Sequence, residues 1–253
     1  MSDVDISVVV TAHNETIVAG PTVLSAEAAC RVAEAGGFSV ERLIALDAAT
    51  DACREFFTQP AFDNWTKVSL DQRDLGRTRN AIMSTVKGRW IAFLDADDLF
   101  SENWLIEGAR RLAGAEARGE RIIVHPEFNW IFDRGHSIFV KPDQDDPIFT
   151  PYFFYRSNYY DSLCMAPKEA HLEIPYIHRD IPNGLSFQDW QWNIETMAAG
   201  WKHVTAHDTI IFKRRRDDSL VTESRNRQSI IRAIEPMAID RVRDLGKSER
   251  KAN

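Results

Sequence analysis

The sequence predicts an α/β protein, a mostly parallel sheet flanked by helices, with a helical extension at its C-terminal end. Three observations carry that class. Continuous apolar runs such as ISVVVTA (6–12) and WIAFL (90–94) lack the polar alternation of a half-exposed strand, so they read as strands covered on both faces. The segments between such runs have helix-compatible composition, and strand–helix–strand alternation closes through right-handed crossovers into a parallel sheet. Polar residues come directly after the strands: His13 and Asn14, then Asp47, then Asp71, then Asp95, Asp97 and Asp98. In such a sheet that is the rim where ligands bind.

ISVVVTA is the first strand. Residues 21–35 are Ala-rich and stopped by Gly36 and Gly37, as a helix with its breaker. VERLIALD (40–47) and TKVSL (66–70) are the second and third strands. GRTRNAIMSTVKG reads as a helix with Gly88 just past its end. WIAFL is the fourth strand, after which Ser101 caps a helix running to about Arg118. Beyond it the pattern loosens. RIIVH (121–125), NWIF and SIFV (137–140) are strands, the last two joined by a hairpin turn at Arg134 and Gly135. KPDQDDPIFTP is a Pro- and Asp-rich loop, and YFFYRSNYY (152–160) an aromatic cluster. Ser186 caps a helix whose Trp190, Ile194, Met197 and Trp201 recur at helical spacing, ended by Gly200. HVTAHDTIIF is a further strand and runs into the basic stretch KRRR (213–216). Residues 228–245 read as a last amphipathic helix, and GKSERKAN as a polar tail.

Composition excludes several function classes. A chain of 253 residues suffices for one large domain, or two small ones, with a well-formed core. Its net charge of -7 argues against general nucleic-acid binding, which needs a basic surface. MSDVDISVVV carries acids where a secretory signal carries Lys or Arg, and no stretch approaches the roughly 20 apolar residues of a membrane span. Cys30, Cys53 and Cys164 are odd in number, far apart and in no metal-type spacing, so they read as reduced thiols of a cytoplasmic protein.

The segment RWIAFLDADDLF holds the main chemical signal. Asp95, Asp97 and Asp98 repel one another where Asn, Gly or Ser would serve a plain turn. Read locally, two carboxylates one residue apart either share a divalent cation or form a solvated acidic turn. The cation, Mg²⁺ or Mn²⁺, would complete its shell with water and substrate phosphates. The turn would favour the next helix through its dipole. Asp47 either accepts the imide N–H of a uracil or thymine ring or hydrogen-bonds its own turn. Asp189, three residues after Ser186, is either a general base or the acid of a near-capping box. Trp190, Trp192 and the 152–160 aromatics form either a sugar platform or core.

Five segments in order resemble the family 2 glycosyltransferases, inverting enzymes of the GT-A fold with a Rossmann-like sheet. VVVTAHNE is similar to the family's first strand and nucleotide loop, with Thr11 where Pro is usual and His13 where Tyr is common. ALDAATD resembles the second-strand motif through Asp47, Thr50 and Asp51. DLGRTRNAI resembles the segment whose Arg-Asn pair, here Arg79 and Asn80, reaches the nucleotide-sugar. FLDADD resembles the metal motif, and FQDWQW the motif that supplies the catalytic base. The resemblance spans about residues 5–220. It implies one domain, with 1–100 as the nucleotide-sugar half and 101–220 as the acceptor half, followed by the helix and tail of 221–253.

The resemblance further implies donor contacts from Thr11, His13, Asn14, Glu15, Asp47, Arg79, Asp95, Ala96 and Arg216. It implies a divalent cation on Asp97, helped by Asp95, and Asp189 as the base. Gln188 stands where the family usually has Glu, which leaves Asp189 as the carboxylate of its motif. The partners implied are a UDP- or dTDP-sugar donor and a glycan or lipid-linked acceptor in surface glycan assembly. The 228–245 helix would offer contact to the inner membrane face or a partner domain.

Arg216 stands where the family often has a His that can touch metal or diphosphate. A guanidinium cannot ligate a metal but pairs bidentately with phosphate, so the expectation is fewer protein ligands on the metal and an Arg-held diphosphate. The alternative is a solvated strand end. Two competing enzyme classes fit less well. A phosphatase of the haloacid dehalogenase type wants its D-x-D on the first strand with Thr or Val where Leu99 stands. A nucleotidyltransferase wants a Gly-rich basic loop where TAHNET stands. A degenerate domain that binds a nucleotide-sugar or a partner without catalysis is the non-enzyme alternative, favoured by the departures at Thr11, Gln188 and Arg216.

Overall fold

Apolar strands that cannot be left half in water assemble here into one mixed sheet. The computed structural model describes residues 4–217 and 219–245. Its strands are β1 (Ile6–Ala12), β2 (Val40–Asp47), β3 (Thr66–Leu70), β4 (Trp90–Asp95), β5 (Leu99–Phe100), β6 (Ile122–Asp133), β7 (Ser137–Val140), β8 (Met165–Pro167) and β9 (Lys202–Arg215). The helices are α1 (Ala19–Ala35), α2 (Asp51–Phe56), α3 (Leu75–Ile82), α4 (Trp104–Ala117), α5 (Lys168–Glu173), α6 (Gln188–Ala198) and α7 (Leu220–Asn226).

The sheet order is β3-β2-β1-β4-β8-β6-β9-β5, with β7 added on β6. Every residue of β1 is buried, as a central strand between parallel neighbours requires. The chain steps outward from β1 through β2 and β3, then returns to the other side of β1 with β4. Strand order therefore reverses between β1 and β4, and the crevice beyond their carboxyl ends is the natural ligand site of an open α/β sheet. Thr11 and Asp95 are opposite one another at that point. The antiparallel strand pairs, β4 with β8, β6 with β8 and β7, and β5 with β9, each include a strand from the later half of the chain. There β6 and β9 run parallel, which brings Asn129 and Lys213 to one carboxylate, that of Asp161.

Several boundaries differ from expectation, each for a local reason. The first helix starts at Ala19, with Pro21 inside its first turn, where no intrahelical acceptor awaits its missing N–H. Ser101 is not a cap: its Oγ accepts from Ile210 N at 2.9 Å, and α4 begins after Asn103. α3 stops at Ile82, well short of Gly88. Gly88 instead lets the chain pass β1 so closely that a Cβ would sit 2.4 Å from Ser7 N. RIIVH and NWIF are one strand, β6, bent by an irregularity at Pro126–Phe128, the place in a ladder where Pro is tolerated. Ser186 does not cap α6 either. Phe187 takes the N-cap in the left-handed region (φ 62°), and Ser186 Oγ bonds Ser224 Oγ at 2.7 Å.

The largest correction is the last helix. Residues 228–245 form only 3-10 turns at Glu235–Met237 and Val242–Asp244, because Pro236 lacks a donor and Gln228 is left-handed (φ 52°). The helix lies upstream as α7, capped by Ser219 Oγ accepting from Thr222 N at 3.3 Å. Val242 and Leu245 pack on Phe154, Tyr159, Tyr160, Ile194 and Met197, whereas Ile230 and Ile239 of the same segment are exposed. The expected polar tail, residues 246–253, lies outside the described residues. No helix among the described residues is long and apolar enough to cross a membrane.

Candidate active site

The switch point gathers most of the residues singled out in the sequence. Thr11 Oγ1 donates across the β1–β4 pair to Asp95 Oδ1 at 2.9 Å, and Arg79 Nη2 donates to the same oxygen at 3.0 Å. Arg79 is buried, with its guanidinium 5.5 Å from the ring centres of both Phe93 and Tyr176. It is a strut that fixes one carboxylate oxygen of Asp95. The other oxygen, Oδ2, carries no hydrogen bond among the described residues. Ala96 is buried and continues the edge, its N–H donating to Thr11 O at 3.0 Å and its carbonyl accepting from Thr22 Oγ1 at 3.1 Å.

The three acids after β4 separate into distinct roles. Asp98 is buried and accepts from Arg214 N at 2.8 Å, with Lys213 Nζ 3.7 Å away, so it ties the loop to β9. Asp97 faces the rim and meets Arg216 Nη2 through Oδ2 at 2.8 Å. Burial, and then the neighbouring Asp95 charge, push the Asp97 carboxyl above its usual range, against the pull of Arg216. Arg216 also lies 3.4 Å from Glu15 Oε1. Glu15 in turn accepts from the N–H groups of His13 and Asn14 at 2.8 and 3.2 Å, which shapes the loop after β1.

Asp47 and His13 form the next sector of the rim. His13 Nδ1 donates to the Asp47 carbonyl at 2.9 Å, and Thr50 N donates to His13 O at 2.9 Å. Asp47 Oδ1 accepts from Gln72 N at 2.6 Å, which joins the loops after β2 and β3. Thr50 caps α2 through Oγ1, accepting from Cys53 N at 3.2 Å. Asn80, the partner of Arg79 in its motif, clamps a distant loop: its Nδ2 donates to Tyr176 O at 2.7 Å, and its Oδ1 accepts from Tyr176 N at 2.8 Å. A Cβ at Gly76 would lie 2.6 Å from Ile177 O, so this glycine is needed for the loop to approach.

Asp189 enters from the first turn of α6. Burial, and then the negative charge of Asp161, raise its carboxyl above the usual range, while Lys213 and Arg79 oppose the shift. Lys213 is the hub of this side. Burial works against its charge, but the carboxylates of Asp161, Asp98, Asp95 and Asp189 together hold it above the ordinary lysine range. Its Nζ is 3.4 Å from Asp161 Oδ2. Lys141 Nζ lies 3.7 Å from the same oxygen and donates to Asn129 Oδ1 at 2.9 Å, and Asn129 Nδ2 donates to Asp161 at 2.6 Å. Two cations hold Asp161 well below the usual carboxylate range despite its burial.

Asp161, Lys141 and Asn129 were not anticipated, because they belong to no motif and come from separate segments. Lys213 was visible only as one residue of a basic run. Strand alternation, which turns Lys213 inward and Arg214 to the opposite face of β9, was the available signal. The aromatics fall mainly in the core. Phe154, Tyr159, Tyr160 and Trp192 are buried, whereas Tyr152 and Tyr155 are exposed.

Comparison with known proteins follows this geometry. None of the curated proteins matches the sequence. Among solved structures, the 1–349 fragment of S. aureus TarS superposes with a TM-score of 0.55 at 15% identity, over 83% of this chain and 60% of that one. The same fragment solved with UDP-GlcNAc gives 0.52 at 15% identity, over 85% and 60%. Mannosyltransferase PcManGT from Pyrobaculum calidifontis, solved with GDP-Man and Mn2+, gives 0.57 at 16% identity, over 90% and 64%. At these identities the likeness concerns the fold, and the chain spans about 60% of the length of these proteins. The family model described as "Glycosyl transferase family 2" matches residues 7–154, more than half of the chain. That span carries the switch point and the Asp95–Asp97 edge, and the chain belongs to glycosyl transferase family 2.

Proposed function

We propose that the protein is an inverting glycosyltransferase that moves a sugar from a nucleoside-diphosphate donor to an acceptor hydroxyl. The observation that supports this reading is the acid edge of Asp95 and Asp97 at the switch point between β1 and β4, with Lys213 in the field of both Asp95 and the partly buried Asp189. Loss of a diphosphate and deprotonation of a hydroxyl need those two kinds of group on opposite sides of the reacting carbon.

The donor set suits a divalent cation. Asp95 Oδ2 and Asp97 Oδ1 are hard oxygen ligands with no hydrogen bond among the described residues, and the carboxylates of Asp95, Asp97 and Glu15 outnumber the two guanidiniums paired with them, Arg79 and Arg216. Mg²⁺ takes one or two protein carboxylates and fills its shell with water and phosphate oxygens, so two suffice. Asp97 and Asp95 would hold it, and the bound ion would neutralise charge developing on the leaving diphosphate. Arg216 adds a guanidinium fork to a phosphate. Asp47 keeps Oδ2 for the imide N–H of a uracil or thymine base, while Oδ1 holds Gln72. Asp189 takes the proton of the acceptor hydroxyl as that oxygen attacks the anomeric carbon. The bond to the diphosphate breaks on the opposite face and the configuration inverts. The acceptor class suggested by the family resemblance is a growing surface glycan on a lipid carrier.

Asp97→Ala tests the acid edge. Its side chain lies at the rim, so the fold should survive, while Mn²⁺-dependent binding of UDP should weaken at least about tenfold, the scale of one lost charged interaction. Calorimetry with and without Mn²⁺ measures it. An unchanged UDP affinity in Mn²⁺ would remove Asp97 from the site.

A further inference from the structure

We propose that Arg216 is the resident occupant of the metal side of this site. It holds Asp97 until a divalent cation and a diphosphate arrive together, and then passes from the carboxylate to the diphosphate. The inference rests on the donor-and-cation reading above.

Three observations support it. The guanidinium is seated between two carboxylates, 2.8 Å from Asp97 and 3.4 Å from Glu15, and the side chains of both acids are only 15% and 12% exposed. Partly buried ion pairs of this kind are screened by salt less than surface pairs are. Second, two of the other three cations of the run are committed elsewhere. Lys213 lies between Asp98 and Asp161, and Arg214 reaches Asp133 at 3.1 Å and the Asp97 carbonyl at 3.4 Å. Third, Arg216 is the residue directly after β9, and its carbonyl accepts from Ser219 N at 3.4 Å and Thr222 Oγ1 at 3.3 Å, so its backbone is anchored. Its side chain is 31% exposed, so an exchange of partners needs only a change of side-chain rotamer.

A metal ion arriving alone must compete with a guanidinium that is already covalently present at high local concentration. A nucleoside diphosphate changes that balance, because it offers the guanidinium a bidentate partner and the metal two further oxygens. Cation and donor should therefore bind cooperatively, each raising the affinity of the other by the same factor.

The test compares the parent with Arg216→Gln and Arg216→Lys, by calorimetry with Mn²⁺ alone and with UDP or GDP in chelator. In Arg216→Gln, Mn²⁺ alone should bind about tenfold tighter and the nucleotide in chelator about tenfold weaker, a charged hydrogen bond moving each in opposite directions. Arg216→Lys keeps the charge without the fork, so Mn²⁺ affinity should stay near that of the parent while nucleotide affinity falls. Thermal unfolding checks that the variants fold. If the parent binds Mn²⁺ with nucleotide present, and Arg216→Gln binds Mn²⁺ alone no better than the parent does, Arg216 is not an occupant and the proposal is wrong. If the parent binds no Mn²⁺ even with nucleotide, the donor-and-cation reading itself fails, and the proposal with it.

Discussion

Asp161→Asn should destabilise the protein by about 3–5 kcal/mol at neutral pH, the cost of removing one partner from a buried charge network. The substitution keeps the shape of the side chain but leaves Lys141, whose side chain is fully buried, and Lys213 without the anion between them. Its effect should depend on pH in a defined direction. Asp161 is held well below the ordinary carboxylate value of 3.8, so its stabilisation is present above that value and is lost as pH falls through the lower native one. Parent and variant should therefore converge in strong acid. On the alkaline side the variant should recover part of the difference. Burial already brings Lys141 down to about 8, and without Asp161 it can lose its proton in the native state more readily still. Urea unfolding across the pH range measures both trends. Equal stability of parent and variant at pH 7 would show that the network contributes nothing.

Asp189→Asn should have the largest effect on turnover, a fall of at least about 10²-fold, with nucleotide affinity and unfolding temperature near those of the parent. Asn retains the size and most of the polarity of the side chain in the first turn of α6, so the helix has little reason to shift. What it lacks is a site for the acceptor proton. The parent's rate should rise with pH through an ionisation above the usual carboxylate range, because burial and then the nearby Asp161 disfavour the charged form of Asp189. In the variant that acid limb should disappear. A variant that keeps both normal turnover and the limb would return Asp189 to a helix-stabilising role.

These two acids differ in how far the sequence announced them. Asp189 sits in FQDWQW, whose order among other motifs singles it out, and the parallel strands were legible because burial on both faces leaves no polar alternation. Asp161 follows an aromatic cluster and pairs with a lysine from a Pro-rich loop. Nothing local marks such a residue, since its environment exists only once β6, β8 and β9 have come together. Helix ends failed for a related reason. Ser101 and Ser186 both had cap-like sequences, but each hydroxyl finds a partner on a distant segment, Ile210 N and Ser224 Oγ, and the helix starts elsewhere. The 228–245 segment kept its apolar spacing and lost its helix to Pro236. Arg79 shows the same limit in the site: a motif names the residue, but only packing against Phe93 and Tyr176 reveals that it braces Asp95 from behind.

The three cysteines have a practical bearing on how this molecule can be followed in solution. Burial raises the thiols of Cys30 and Cys164 to about 12 and that of Cys53 to about 11, so none presents a thiolate at neutral pH in the folded state. Alkylating reagents attack thiolates, and each sulfur is thus protected twice, by access and by protonation. The three are distributed as if for a kinetic experiment: Cys30 in α1, Cys53 in α2 behind the Thr50 cap, and Cys164 at the entry to β8. Modification of each one reports opening of the packing around its own element. Cys53 is linked through the Thr50 cap to the loop of His13, so its labelling rate becomes a clock for motion at the rim beyond β1 and β2. Cys30 and Cys164 time the release of the sheet itself.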